Sequence, residues 1–180
     1  MKKKFLILLL LARLLIEPMY SYGAGMPDST ERSKLAAAWK TFVQAVAAHD
    51  TEKIKRVSVE KIRCPACVDN TEEEDKDMET FRMTEPDWYK KLYEEKVFIP
   101  VNTFCKQDYP IIFSELFIKK LQNSTPAYRV DDLGNETLYE ALIPAAKPGE
   151  LAPGHEGGLH LFQFIKTNKG YKFWGIDTIP

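Results

Sequence analysis

The sequence predicts an α+β domain in which N-terminal helices pack on a curved, mostly antiparallel sheet of about four strands. Apolar residues recur at helical spacing as far as Leu121, and after Asn123 their period changes to two. The predicted strands follow one another closely in the chain, which favours antiparallel neighbours. Helices followed by a run of strands are typical of the α+β class.

Capping residues and apolar spacing place the helices. The first is predicted from the capping pattern Asp28-x-x-Glu31 to His49-Asp50, and a shorter second helix runs from Thr51 to Val59. Thr84 as a cap predicts the start of another helix, and Pro110 opens the last. The side chains expected to face inward are Leu35, Trp39, Phe42, Val43, Val46, Ile54, Val57, Trp88, Leu92, Tyr93, Ile112, Phe113, Leu116, Phe117 and Leu121.

Two segments without clear periodicity lie between these helices. Residues 60–68 are expected to be short and extended. The segment 69–79 is strongly acidic, and a block of like charges predicts a hydrated surface loop. Calcium-loop spacing is absent from it.

Period-two alternation predicts four strands in the last third of the chain. Their expected bounds are Ala127–Asp131, Thr137–Ile143, Leu159–Lys166 and Tyr171–Thr178. Gly134-Asn135 and Thr167–Gly170 are expected to be hairpin turns, with Gly170 at positive φ. The Pro- and Gly-rich residues 144–158 are expected to form a long surface loop.

The N-terminus is predicted to be a secretory signal peptide, residues 1–23, with the cut after Gly23. A basic start, an apolar run of about a dozen residues and small residues before the cut are its three parts. The working protein is then a single domain, residues 24–180, in the periplasm or outside the cell. A retained membrane anchor is the alternative.

Cleavage would also change the charge. Of 25 basic and 26 acidic residues, it removes four basic and one acidic, which leaves a net charge of −4. The charge therefore gives no reason to expect nucleic acid or a membrane as partner.

Three cysteines, Cys64, Cys67 and Cys105, admit three interpretations. Export implies an oxidising compartment, so one disulfide among them and one free thiol is the leading expectation. Cys64-Pro65-Ala66-Cys67 also has the spacing of a redox pair, although acidic residues follow it. Three thiolates and one histidine are a known zinc set, which oxidising conditions disfavour. We therefore predict neither a metal nor a cofactor.

Two segments resemble the nuclear transport factor two-like superfamily of cystatin-like α+β cones. They are the helix end Ala47-Ala48-His49-Asp50 and the final strand Gly170-Tyr171-Lys172-Phe173-Trp174-Gly175-Ile176-Asp177. The chain looks most similar to exported bacterial members of unassigned function. The resemblance implies a cone-like sheet around the long first helix, a pocket within it and homodimers through the open sheet face.

We predict that the domain binds a small ligand or a protein and is not a catalyst. The predicted ligand-binding residues are Tyr128, Tyr139, His160 and Trp174, and no catalytic residue is predicted because no acid–base pair stands out. An isomerase- or dehydratase-type acid–base enzyme is the first alternative. A thiol–disulfide protein using Cys64 and Cys67 is the second. His155 and His160 lie one residue too far apart for the zinc-protease motif.

Overall fold

The computed structural model describes residues 25–134, 136–147, 149–150 and 152–179 of the chain. The predicted signal peptide and its cut lie outside the described residues. The α+β class is confirmed. The helices are α1 (Ser29–Ala47), α2 (Thr51–Val57), α3 (Glu72–Thr84), α4 (Trp88–Lys91), α5 (Val101–Thr103), α6 (Tyr109–Ile112) and α7 (Glu115–Asn123). The strands are β1 (Ser58–Arg63), β2 (Phe98–Pro100), β3 (Ala127–Asp132), β4 (Thr137–Ala146), β5 (Gly158–Thr167) and β6 (Gly170–Ile179).

Helix α1 begins and ends where its capping chemistry requires. The Asp28 carboxylate accepts the backbone N–H groups of Thr30 and Glu31 at 2.8 and 2.9 Å, which satisfies donors that have no partner within the helix. His49 closes the helix in the left-handed region, with φ at 51°. Its N–H donates to Val46 and that of Asp50 to Ala45, the paired hydrogen bonds of a Schellman motif.

The sheet has six strands in the described part of the chain, in the order β2-β1-β6-β5-β4-β3. The four predicted strands are β3 to β6, each extended by one to three residues, and they pair antiparallel. The sequence did not predict the other two strands, β1 and β2, which continue the sheet on the side of β6 away from β5. Strand β1 runs parallel to β6 and antiparallel to β2, so the sheet is mixed.

The core lies between α1, the later helices and one face of the sheet. Phe42 of α1 stacks on Phe173 of β6 with ring centroids 4.2 Å apart, and Trp39 meets Phe162 of β5 edge-on at 4.9 Å. Offset and edge-on arrangements are the favoured geometries for aromatic pairs. The inward residues predicted for α1 are all buried.

The prediction of a loop over the acidic segment 69–79 was wrong, because most of it belongs to α3. Thr71 caps this helix: its hydroxyl accepts the N–H of Glu74 at 3.2 Å, and the Glu74 carboxylate accepts the N–H of Thr71 at 3.0 Å. Four acidic residues then occupy the first turn, where the positive end of the helix dipole stabilises negative charge. The helix terminus thus offsets the repulsion on which the loop prediction rested.

Two other helix predictions were wrong in their boundaries. Thr84 is the last residue of α3 and not the cap of a new helix. The helix expected from Pro110 is two helices, because Phe113 leaves helical geometry and the Ser114 hydroxyl caps α7 by accepting the N–H of Phe117. Tyr93 and Leu116, expected to face inward, are exposed.

Candidate functional site

A surface groove of about 410 Å³ opens where the ends of β5 and β6 meet the Cys64–Cys67 loop and helices α6 and α7. Most of its surface is apolar, with polar groups contributed by the two strands. Its lining residues are Pro65, Ala66, Ile112, Phe117, His160, Ile176, Asp177 and Thr178.

Strand register brings the main polar pair of the groove together. His160 of β5 lies opposite Thr178 of β6, and the ring Nδ1 lies 3.2 Å from the threonine hydroxyl oxygen. The Phe117 ring packs edge-on against the imidazole, with centroids 4.8 Å apart. Burial holds the pKa of His160 below its usual value, and the positive charge of Lys120 lowers it further. These surroundings favour the neutral form of the imidazole.

A disulfide shapes the opposite wall of the groove. Cys64 and Cys67 are bonded to each other, with Cα atoms 5.3 Å apart, and both are fully buried. The N–H of Cys64 donates to the carbonyl of Val97 at 2.8 Å, and that of Cys67 donates to the carbonyl of Cys64 at 3.0 Å. These bonds fix a tight turn, with Pro65 and Ala66 at its tip against the groove. Cys105 is a buried free thiol.

The carboxylate at the groove is already engaged. Asp177 Oδ2 accepts the Arg63 guanidinium at 2.6 Å, and Oδ1 accepts the N–H of Thr178 at 2.8 Å. The same guanidinium lies 6.0 Å from the ring centroid of Trp174, which in turn contacts Phe98 edge-on. Arg63 therefore neutralises the charge of Asp177, and Trp174 belongs to this cluster and not to the groove lining.

Of the four predicted ligand-binding residues, the structure places His160 in the groove and the other three elsewhere. Tyr139 packs against Tyr171, with ring centroids 4.8 Å apart, and the Tyr171 hydroxyl donates to the Glu31 carboxylate near the start of α1. Tyr128 is half-buried against the core, and this burial raises its pKa. Tyr128 and Tyr139 thus share the helix-covered face with His160 without converging on it.

Sequence reasoning missed the apolar partners of His160, because they come from three distant segments. Ile112 and Phe117 were expected in the core, and both are half-buried at the groove. Ile176 follows the alternation of β6 onto the same face. Pro65 and Ala66 lie between Cys64 and Cys67, whose spacing indicated a disulfide or a redox pair and not a groove wall. No local signal shows that these residues meet.

Metal-binding clusters and membrane-spanning helices are both absent from the described residues. In the described ranges, no group of three or more His, Cys, Asp or Glu side chains is arranged to hold a metal ion. The sulfurs of Cys64 and Cys67 are bonded to each other, so they are not the thiolates that a zinc set requires. None of the described helices combines the length and the apolar character needed to cross a membrane.

Comparison with known proteins supplies no relative from which a function is transferred. No family model, no curated protein sequence and no solved structure matches this chain.

Proposed function

We propose that this domain binds a small, mainly apolar molecule in the groove between the disulfide turn and His160. The observation that carries the proposal is the composition of the groove: apolar walls converge on one polar pair, His160 and Thr178. Small-molecule sites combine apolar surface with few polar groups that fix orientation. The volume of about 410 Å³ lies within the range of such sites.

Catalysis is the alternative that His160 favours. A neutral imidazole is the form that a general base requires, and the groove holds one. However, Asp177 is committed to Arg63, and among the described residues only Thr178 is hydrogen-bonded to the imidazole. Without a carboxylate to orient His160, binding accounts better for the site than proton transfer does.

Thiol–disulfide exchange is the second alternative, and the burial of the sulfurs weighs against it. A redox pair needs one cysteine that a partner can reach. Cys64 and Cys67 both have 0% of their surface exposed, so exchange would require the turn to open. A structural role therefore accounts for the disulfide better than redox exchange does: it holds the turn that forms one wall of the proposed binding site.

Three broader expectations stay proposals and agree with binding. Export to the periplasm or beyond fits a buried disulfide. Membership of the nuclear transport factor two-like superfamily, with its cone shape, rests on the two resembling segments of the sequence, and the long first helix packs on a mixed sheet. A protein ligand or a homodimer would use the same domain through another surface.

Titration with the neutral apolar dye N-phenyl-1-naphthylamine tests the proposal. We expect saturable fluorescence enhancement by the full chain. Ala66 is exposed at the groove wall, so Ala66→Trp fills the groove without disturbing the core and should abolish the enhancement. Ala37→Trp, on the exposed face of α1, is the matched control and should bind normally. Absent or non-saturable binding, or equal loss in both variants, would rule the proposal out.

A further inference from the structure

We propose that the ligand of the groove is an apolar carboxylic acid, bound as its anion with the carboxylate against His160, Thr178 and Lys120. This inference rests on the proposed function, because it assigns the ligand class of the same groove. It follows from the hydrogen-bond donors and charges that His160, Thr178 and Lys120 still offer a ligand beyond the hydrogen bonds they already make.

The His160–Thr178 pair has one hydrogen-bond donor to spare. If the threonine hydroxyl donates to Nδ1, the ring retains an N–H at Nε2. If Nδ1 carries the proton and donates, the hydroxyl hydrogen is free. In either tautomer the pair offers a ligand one N–H or O–H group. The pair also leaves one acceptor, the Thr178 oxygen or Nε2, so the pair alone does not choose between an accepting and a donating ligand; the positive charge of Lys120 favours the acceptor.

Lys120 does not line the groove, but it lies close enough for its positive charge to act on His160. It lies on α7 almost one turn after Phe117, whose ring contacts His160. Its Nζ donates to the carbonyl of Ala145 at 2.7 Å, and Ala145 lies two residues beyond Ile143, the register partner of His160. Within the described residues no carboxylate lies within ion-pair distance of Lys120.

The competing negative charge is neutralised. Asp177 lines the groove, but Arg63 holds its carboxylate at 2.6 Å. The neutral donor of the polar end thus lies near a cation that no carboxylate of the described residues pairs with, and this combination matches a monoanion. A phosphate monoester carries a charge of about −1.5 to −2 at pH 7 and fits less well. The apolar walls formed by Ile112, Phe117 and Ile176 then receive the hydrocarbon part.

Competition for the bound dye distinguishes the ligand classes. Decanoate, decanol and decyltrimethylammonium have the same chain and differ in the charge of the head group. We expect decanoate to displace N-phenyl-1-naphthylamine at a concentration at least about tenfold below that needed for decanol, since about 1.4 kcal/mol of head-group attraction suffices. Decyltrimethylammonium should be the weakest competitor.

Variants at Lys120 identify the source of the preference. Lys120→Met keeps the length of the side chain and removes its charge, so the preference for decanoate over decanol should fall towards one. Lys120→Arg should retain it. Lys119→Met removes an exposed charge at the neighbouring position and should leave it unchanged.

The outcomes separate this inference from the proposed function. Dye binding with equal displacement by decanoate and decanol overturns the anion assignment while binding in the groove stands. An equal loss of preference in the Lys119 and Lys120 variants overturns the role of Lys120. Failure of the dye itself to bind removes the proposed function, and the ligand class with it.

Discussion

Two buried carboxyl groups in this domain have very different surroundings. Glu140 is 1% exposed and is fully partnered: Arg129 Nε donates to it at 2.5 Å and Gln163 Nε2 at 3.0 Å. Asp108 is 0% exposed, and its one hydrogen bond is from Asn70 Nδ2 at 3.0 Å. Its second oxygen has no hydrogen-bond partner in the described structure. An ionised carboxylate in that position would be poorly stabilised.

The pKa of Asp108 is accordingly raised, first by burial and then by the charge of Glu74, while the bond from Asn70 acts in the opposite direction. Because the folded pKa lies above the unfolded one, Asp108 favours folding most below the unfolded value of about 3.9. That contribution is lost as the pH rises through the folded pKa. Asp108→Asn cannot ionise, so its stability relative to the wild type should increase from about pH 3 to about pH 7.

Urea unfolding of both proteins across this pH range measures the difference. Asp77→Asn, an exposed acid on α3, is the control and should show no comparable trend. A constant difference between Asp108→Asn and the wild type at every pH would contradict the raised pKa of Asp108.

Gly175 illustrates a second constraint at the residue scale. A Cβ atom built at this position would lie 2.6 Å from the carbonyl oxygen of Arg63 and 2.9 Å from its Cβ. The close approach of β1 to β6 therefore requires glycine at this position. The neighbouring strand also carries Arg63, which neutralises Asp177 at the groove.

Gly175→Ala should destabilise the domain by about 1–3 kcal/mol, since β1 must move away from β6. Thermal unfolding and urea titration measure the loss. Gly25→Ala is the matched control, because nothing lies within 4 Å of a Cβ there, and its stability should equal that of the wild type. An unchanged Gly175→Ala protein would mean that the strands are less closely packed than described.

At the scale of elements, α3 depends on its first turn more than on burial. Met78, 4% exposed, is its one buried side chain, so packing contributes little. The capping box of Thr71 and Glu74 is then a large part of what holds the helix in place. Thr71→Ala should weaken the helix by roughly 0.5–2 kcal/mol.

Amide hydrogen exchange at residues 74–78 is the appropriate readout, because the loss is local. Thr80→Ala is the control: the Thr80 hydroxyl donates to the carbonyl of Lys76 within the helix and caps nothing. Equal exchange in the two variants would show that the capping box does not stabilise α3.

The elements that could be predicted are those whose signals are local. Strands β3 to β6 alternate apolar and polar residues, and α1 combines a cap with a clear apolar stripe. The capping box of α3 was also readable in Thr71-Glu72-Glu73-Glu74, but the density of acidic charge obscured it. Tyr93 and Leu116 were wrongly predicted to face inward, because helical spacing alone does not show which apolar side chains pack against another element.

At the scale of the whole molecule, the groove depends on pairings that no local pattern specifies. Strand β1 joins the sheet parallel to β6, more than 100 residues later in the chain, as the Arg63–Asp177 ion pair illustrates. This pairing brings the disulfide turn next to His160 and Thr178. The sequence predicted His160 as a binding residue because it lies on a predicted strand. The residues that surround it in the groove could not be predicted without the strand order and the positions of the helices.

The disulfide holds the turn that this topology brings to the groove, and counting thiols tests whether it forms. In denaturant without a reductant, each chain should react with one equivalent of thiol reagent, at Cys105. After reduction it should react with three. In the native protein the reaction should be slow, because burial raises the pKa of the Cys105 thiol.

The Cys105→Ala variant distinguishes the pairings. With Cys64 bonded to Cys67 it should have no reactive thiol, whereas a wild-type bond from Cys105 to either of them predicts two equivalents before any new bond forms between Cys64 and Cys67. Three thiols in the unreduced wild type would remove the disulfide itself. The turn at Pro65 and Ala66 would then lose the constraint that positions it, and with it the fixed wall that the proposed ligand needs. One thiol per wild-type chain therefore supports a single disulfide, and the absence of a thiol in Cys105→Ala supports the Cys64–Cys67 pairing and the groove wall that it fixes.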